Sequence, residues 1–366
     1  MSAPRLEIDL DKIYHNASTL VERLAVRGIS VTGVTKASLG SAGIAQAMLR
    51  AGVRALGDSR IENIEAMRDA QLAAPMTLIR SPMLSQVERV VKQADISFNT
   101  ELDVISQLSF AAQKQKRVHG VVLMIELGDL REGIMPGDLE STVRETIRFP
   151  NILLKGIGTN LACRCGVSPD ANNMAELSAL ANSIDATFGP MLSIVSGGNS
   201  ANLDWVLSGA DTGRINDLRL GESILLGCEP LHRQAIDGLH TDAITLIAEV
   251  IESKLKPSEP WGEIGQSAFG VTPPVTNRGN IFQMILAIGR QDIDPDGLQA
   301  LAGIEILGTS SDHLIVESDR CLPVGSEISF QINYSALVRA MTSPFVTKVE
   351  KSQGHHMHVS DSYDKP

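Results

Sequence analysis

Between residues 30 and 227, eight short apolar runs alternate with segments whose apolar residues recur at helical spacing. The runs cover 30–36, 55–59, 76–81, 96–100, 119–127, 153–160, 192–197 and 218–227. They are rich in β-branched residues and end in small or polar ones. Helical spacing is clearest over 61–72, 103–113 and 174–188. Continuous apolar strands separated by helices predict a parallel sheet with both faces covered. Eight such units in about 200 residues fit a closed (β/α)8 TIM barrel, with an open doubly wound sheet as the alternative. A barrel carries its active site at the C-terminal ends of its strands. The last residues of each run are therefore where chemistry is sought.

After residue 232 the pattern changes. Residues 243–256, 281–289, 304–307, 313–317 and 327–333 read as strands separated by Pro and Gly clusters, and Ser311-Asp312-His313 reads as a turn. The expected division is a barrel over 1–231, whose first strand at 6–9 is also a candidate for the second domain. A mainly β C-terminal domain over 232–350 and a polar, disordered tail over 351–366 follow. At 43% hydrophobic and 20% charged, the 366 residues can bury a large core. The net charge of −11 offers no basic face for nucleic acid. Cys163, Cys165, Cys228 and Cys321 have neither disulfide-framework nor zinc-site spacing. The N-terminal stretch lacks the apolar core of a signal peptide, and no run reaches the roughly 18 apolar residues of a membrane span. A cytoplasmic protein without membrane contact is expected.

Lys36 closes the first of the eight runs. At a barrel mouth, poor solvation lowers a lysine's pKa and frees its amine as a nucleophile; the plainer reading is a lysine that snorkels to solvent. The seventh run ends in Ser196-Gly197-Gly198-Asn199-Ser200, and the eighth contains Arg219, Gly221 and Glu222. Small and hydroxyl residues there suit a barrel phosphate site; a tight loop capping a helix at Asn199 or Ser200 is a compatible alternative. Arg219 could instead form a surface ion pair. Glu222 and Glu263 are acidic candidates for pairing with a dibasic substrate, or ordinary surface residues. His355, His356 and His358 resemble a metal cluster but lie in the polar tail, so no metal is expected.

These segments resemble the fold-type III, alanine racemase-like family of pyridoxal-phosphate enzymes. LEIDLDKIYHN at 6–16 resembles the family's first strand and helix, and GVTKAS at 33–38 its cofactor-lysine segment. GEIGQSAFG at 262–270, AIGRQD at 287–292, EILGTSSDHLIV at 305–316 and TSPFV at 342–346 resemble the ornithine racemase branch. The resemblance implies pyridoxal 5′-phosphate held covalently by Lys36. Arg131 would sit near the phenolic oxygen and Arg219 would face the pyridine nitrogen. Ser200 with the backbone of Gly221 and Glu222 would bind phosphate. Ser196, Gly198, Asn199 and Asn160 complete the expected cofactor contacts, Asn160 standing where family members often carry histidine. The family's second catalytic base is a tyrosine, and Arg290 stands in its place here. The candidates for the missing base are Asp292, then Tyr334 and Cys321, while Arg290 suits a substrate carboxylate. The family's phosphate tyrosine is also absent near Ser38, Leu39 and Gly40.

The resemblance implies a homodimeric racemase of a small or basic amino acid, ornithine first among them. A pyridoxal-phosphate decarboxylase and a non-catalytic cofactor-binding protein are the alternatives. The size of the β domain argues against the last.

Overall fold

The computed structural model describes residues 2–270 and 276–352. Contacts group the chain into two compact units, Asp11–His240, and Met1–Leu10 with Thr241–Pro366.

In the first unit α1 (Leu10–Ala25) leads into eight parallel strands that close on themselves. They are β2 (Ser30–Val34), β3 (Ala55–Asp58), β4 (Met76–Leu78), β5 (Ile96–Asn99), β6 (His119–Ile125), β7 (Ile152–Thr159), β8 (Ile194–Ser196) and β9 (Asp217–Leu220). The helices between them are α2 (Ala42–Arg50), α3 (Ile61–Asp69), α4 (Val87–Gln93), α5 (Leu102–Lys114), α6 (Leu139–Thr146), α7 (Ala171–Phe188) and α8 (Leu203–Leu207), with α9 (Glu222–Leu226) after the last strand. Strand β2 closes the ring against β9, with Ser30 opposite Asp217 and Thr32 opposite Arg219. All seven residues of β6 are buried, as a strand covered on both faces must be. Inside the lumen Phe98, Val122 and Met124 pack together. The predicted closed barrel is the fold observed.

Two departures from the sequence reading bear on the site. The first run ends as a strand at Val34, and Lys36 opens a 3-10 turn, Lys36–Ser38. The turn reverses through Leu39 at φ 52° and Gly40 at φ 70°. A Cβ on Gly40 would lie 2.8 Å from the Asn63 carbonyl oxygen, so that reversal requires glycine. The run at 218–227 is a strand of four residues followed by α9, because Gly221 breaks the strand and the apolar residues after it cover a buried helix. Periodicity alone cannot separate the two in so short a stretch.

The second unit is one eight-stranded sheet. Its strands are β1 (Arg5–Asp9), β10 (Ile244–Pro257), β11 (Asn280–Leu286), β12 (Leu298–Ala300), β13 (Ile304–Thr309), β14 (Leu314–Ser318), β15 (Glu327–Ile332) and β16 (Thr347–Lys351). Strand β10 carries the sheet: its first half pairs with β1 and β15, its second with β11. The first strand of the chain thus belongs to this sheet, between β10 and β16. Sequence patterning left β12, β16 and a helix, α10 (Tyr334–Thr342), unassigned. Asn333 caps α10 by accepting the Ala336 N–H at 3.0 Å. The tail histidines His355, His356 and His358 lie outside the described residues. Among the described residues no helix is long and apolar enough to cross a membrane.

Candidate active site

The C-terminal ends of β2, β6, β7, β8 and β9 and the loops after them carry most of the candidate residues. Lys36 is half-buried just past β2. Burial pushes its amine below the ordinary lysine range; Arg131 and Arg219 add to the shift, while Cys163 and Asp58 oppose it. Asp58, at the end of β3, braces the turn. Its carboxylate accepts the Thr35 hydroxyl at 2.7 Å, the Arg60 N–H at 2.9 Å and the Asn63 amide at 3.0 Å.

Arg219 is buried in the lumen wall rather than paired at the surface. Its Nη1 donates to Ser196 Oγ at 2.6 Å, and its Nη2 to the Thr159 carbonyl at 2.7 Å and Asn160 Oδ1 at 3.2 Å. The guanidinium also lies over the Phe98 ring, 5.1 Å from its centroid. Burial brings it down to about 10, and Asp217 works against that shift. Asn160, directly after β7, holds its Oδ1 toward Arg219 and Asn199. Its Nδ2 is buried and has no partner among the described residues.

The β8 loop is fixed from within. Asn199 Oδ1 accepts the Ala201 N–H at 2.8 Å, and its Nδ2 donates to Asn160 and the Leu161 carbonyl. It is therefore the helix cap offered as the compatible alternative. Gly198 sits at φ 145°, and a Cβ there would fall 2.1 Å from Asn202 Oδ1. Ser200 Oγ is 3.0 Å from Ser223 Oγ and accepts the Ser223 N–H at 3.2 Å. Gly221 passes close to Val34: a Cβ would lie 3.1 Å from its carbonyl oxygen. Ser196, expected to touch the cofactor, is fully buried, and its hydroxyl is engaged by Arg219 and Asp217. It stands behind Arg219.

Arg131 is exposed on the loop after β6. Glu126 pins that loop by accepting the N–H groups of Gly128, Leu130 and Arg131 at 2.6, 2.9 and 3.1 Å. Arg131 pairs with Glu132 and donates to Cys163 Sγ at 3.1 Å. The Cys163 loop is held in turn by Asp129, whose carboxylate accepts four backbone N–H groups from Cys163 to Val167. Burial pushes that carboxyl up, but the four donors outweigh it and hold it below the usual range. Sequence reasoning gave no role at this mouth to Asp58, Glu126, Asp129, Cys163 or Asp217. The signal for Asp217 was available: it stands two residues before Arg219 in a strand, so both side chains point to one face.

Arg290 and Asp292 belong to the other unit and share one turn after β11. Gly289 lets that turn run against Asp312, where a Cβ would lie 2.4 Å from the backbone nitrogen. Arg290 lies over Phe269 at 5.3 Å and its Nε is buried without a partner among the described residues. Asp292 accepts the Ser343 hydroxyl at 2.6 Å. In the same unit Cys321 is exposed, with Sγ 3.3 Å from Ser253 Oγ, Tyr334 begins α10, and Glu263 is exposed. Among the described residues no group of three or more His, Cys, Asp or Glu side chains could hold a metal ion.

The model of the family described as "Alanine racemase, N-terminal domain" matches residues 8–229. An ornithine racemase of Acetoanaerobium sticklandii is 40% identical, over 94% of this chain and 99% of its own. A lysine racemase of Thermotoga maritima is 38% identical, over 95% of this chain and 99% of its own. This chain belongs to the alanine racemase family. The fold agrees. An alanine racemase structure from Clostridium difficile 630 superposes with a TM-score of 0.75, at 19% identity and 98% coverage of each chain. A D-threonine aldolase structure from Filomicrobium marinum reaches 0.73, at 16% identity, covering 96% of this chain and 91% of its own. At such identities the likeness concerns the fold.

Alanine racemase family enzymes depend on pyridoxal 5′-phosphate, and it is the cofactor here. The barrel residues fit it. A half-buried amine with a depressed pKa suits attachment to an aldehyde. A buried guanidinium suits a ring nitrogen, which needs a donor and no acid. The orphaned Asn160 Nδ2 is a buried donor without an acceptor, a deficit that a ligand oxygen relieves. The adjacent hydroxyls of Ser200 and Ser223 suit an anion.

Glu222 offers a test of burial at this mouth. Burial pushes its carboxyl up to about 7, with Arg233 and Lys36 pulling against it and Glu229 adding to it. The folded protein then binds this proton more tightly than the unfolded chain, so stability falls as pH rises from 4.5 to about 7. In cofactor-free protein, Glu222→Gln is expected to raise Tm above the parent's at pH 8 and to lose that advantage at pH 4. An advantage of equal size at both pH values contradicts the assignment.

Proposed function

We propose that this chain is an amino-acid racemase acting on basic amino acids, with ornithine as first substrate and lysine as second. The observation that carries the reading is the half-buried Lys36 amine beside a buried Arg219, in a chain 40% and 38% identical to ornithine and lysine racemases over nearly its whole length. Pyridoxal phosphate supplies an aldehyde for covalent attachment of an amine and a ring that takes up charge when the Cα proton leaves.

In this reading Lys36 holds the cofactor and, once displaced by the substrate amine, takes or returns the proton on one face of Cα. Arg219 holds the ring and keeps its nitrogen unprotonated, because a guanidinium does not surrender its proton at working pH. A guanidinium in that place would limit how much charge the bound group could take up, which would favour prompt return of the proton by Lys36. Ser200 and the N–H groups of Gly221 and Glu222 bind phosphate, and Arg131 and Asn160 contact the ring's substituents. Gly198 and Asn199 shape the loop that presents Ser200.

The Gly289–Asp292 turn is assigned the remaining roles. Arg290 binds the substrate carboxylate. Asp292 is the second acid/base, or grips a side-chain ammonium. Partner and place follow the same reading: a homodimer in the cytoplasm.

The test is incubation of the purified protein with L- or D-ornithine, lysine and alanine in deuterium oxide. Both enantiomers should appear from either ornithine, with deuterium at Cα and no carbon dioxide. Carbon dioxide release would instead favour a decarboxylase, and unchanged substrates a non-catalytic cofactor protein. Lys36→Ala should abolish turnover, a loss of more than about a thousandfold, because it removes both the attachment and one base. Light scattering should give the mass of two chains; a fully active monomer contradicts the dimer.

A further inference from the structure

Arg219 does not rest on its acceptors alone. The Ser196 hydroxyl that accepts from Arg219 Nη1 at 2.6 Å donates its single proton to Asp217 Oδ2 at 2.5 Å. The other carboxylate oxygen accepts the Thr32 hydroxyl at 2.7 Å. Asp217 and Arg219 are alternate residues of β9, Ser196 ends β8 and Thr32 lies in β2, so one row crosses the lumen wall over three adjacent strands. Every side chain in that row is buried. A serine hydroxyl has one proton to give. Asp217 takes it, which turns the serine lone pairs toward the guanidinium.

Charge points the same way. A buried guanidinium needs a counter-charge, and Asp217 exerts the largest favourable charge effect on Arg219. Glu132 acts more weakly in the same sense, and Arg131 opposes both. Burial pushes the Asp217 carboxyl up, while Ser196, Thr32 and Arg219 work against it. A cavity of about 650 Å³ opens the N-terminal end of the barrel and reaches Thr32, Phe98 and Asp217. Asp217 therefore stands between that cavity and Arg219.

We propose that Asp217 is a positioning residue for Arg219, acting through the Ser196 hydroxyl to fix the guanidinium's direction and balance its charge where it faces the cofactor ring. The inference rests on the cofactor site proposed above. It assigns Ser196 to the same relay and Thr32 to the far side of the carboxylate.

The test compares Asp217→Asn, Ser196→Ala and the double variant with the parent. The readouts are the cofactor dissociation constant of the cofactor-free proteins, followed by absorbance, and kcat and KM for ornithine. Asparagine keeps an acceptor and removes the charge; alanine keeps the charge and removes the relay. Each single variant should weaken cofactor binding about tenfold, and the double variant no more than the worse single, because both break one chain. For both singles kcat should fall by about tenfold or more while KM stays within about threefold, since neither residue touches substrate. Dissociation constants within twofold of the parent, or a double variant whose loss is the product of the singles, overturns the relay. Should Asp217→Asn not fold, Ser196→Ala decides alone: a dissociation constant within twofold of the parent's overturns the relay, and a loss of about tenfold with KM held supports it. A parent that takes up no cofactor removes the site, and the relay with it. A parent that binds it while the variants are unchanged removes the relay alone.

Discussion

A guanidinium buried in a barrel wall has to be met on every side, and the meeting of Arg219 organises this lumen. Leaving such a charge without partners costs several kcal/mol. Ser196, the Thr159 carbonyl, Asn160 and the face of Phe98 all converge on it. Those groups come from the ends of β5, β7 and β8 and the residue after β7, so the strand register that closes the barrel also builds the site. Asn160 then links Arg219 to Asn199, and Asn199 caps the turn that presents Ser200. The groups proposed to hold the cofactor's ring and those proposed to hold its phosphate thereby belong to one connected network.

Lys36 uses the same geometry differently. The strand before it stops at Val34, and the chain turns at once through Leu39 and Gly40. The amine is left in a poorly solvated mouth that holds two guanidinium groups as well. Desolvation and like charge both favour its neutral form. The loops that bring Arg131 and Cys163 to this mouth are fixed by buried carboxylates, Glu126 and Asp129, through backbone N–H groups. Carboxylates serving as loop pins explain how long loops hold a shape at the open end of a barrel.

The barrel was legible because parallel strands covered on both faces become continuous apolar runs, eight of which could be counted. The lysine, the two arginines and the serine–glycine loop stood out as polar or small residues at or near strand ends, and the roles expected of them came from the family resemblance. Tertiary roles were less so. Ser196 read as a cofactor contact, since nothing in SGGNS says that its hydroxyl turns back toward Asp217. Asp217 itself stands just before the run at 218–227, and only strand parity hinted that it shares a face with Arg219. The break at Gly221 was hidden because a buried helix and a buried strand look alike over ten residues. The chain's first strand and β16 escaped assignment to each other, because pairing between chain ends leaves no local signal.

The account's centre is one covalent attachment, and chemical trapping reads it directly. Cofactor-loaded protein is reduced with borohydride, digested, and mapped by peptide mass spectrometry. The account predicts the phosphopyridoxyl mass on the peptide containing Lys36 and on no other lysine. A modification on a different lysine, or none on a protein that retains bound cofactor, contradicts it.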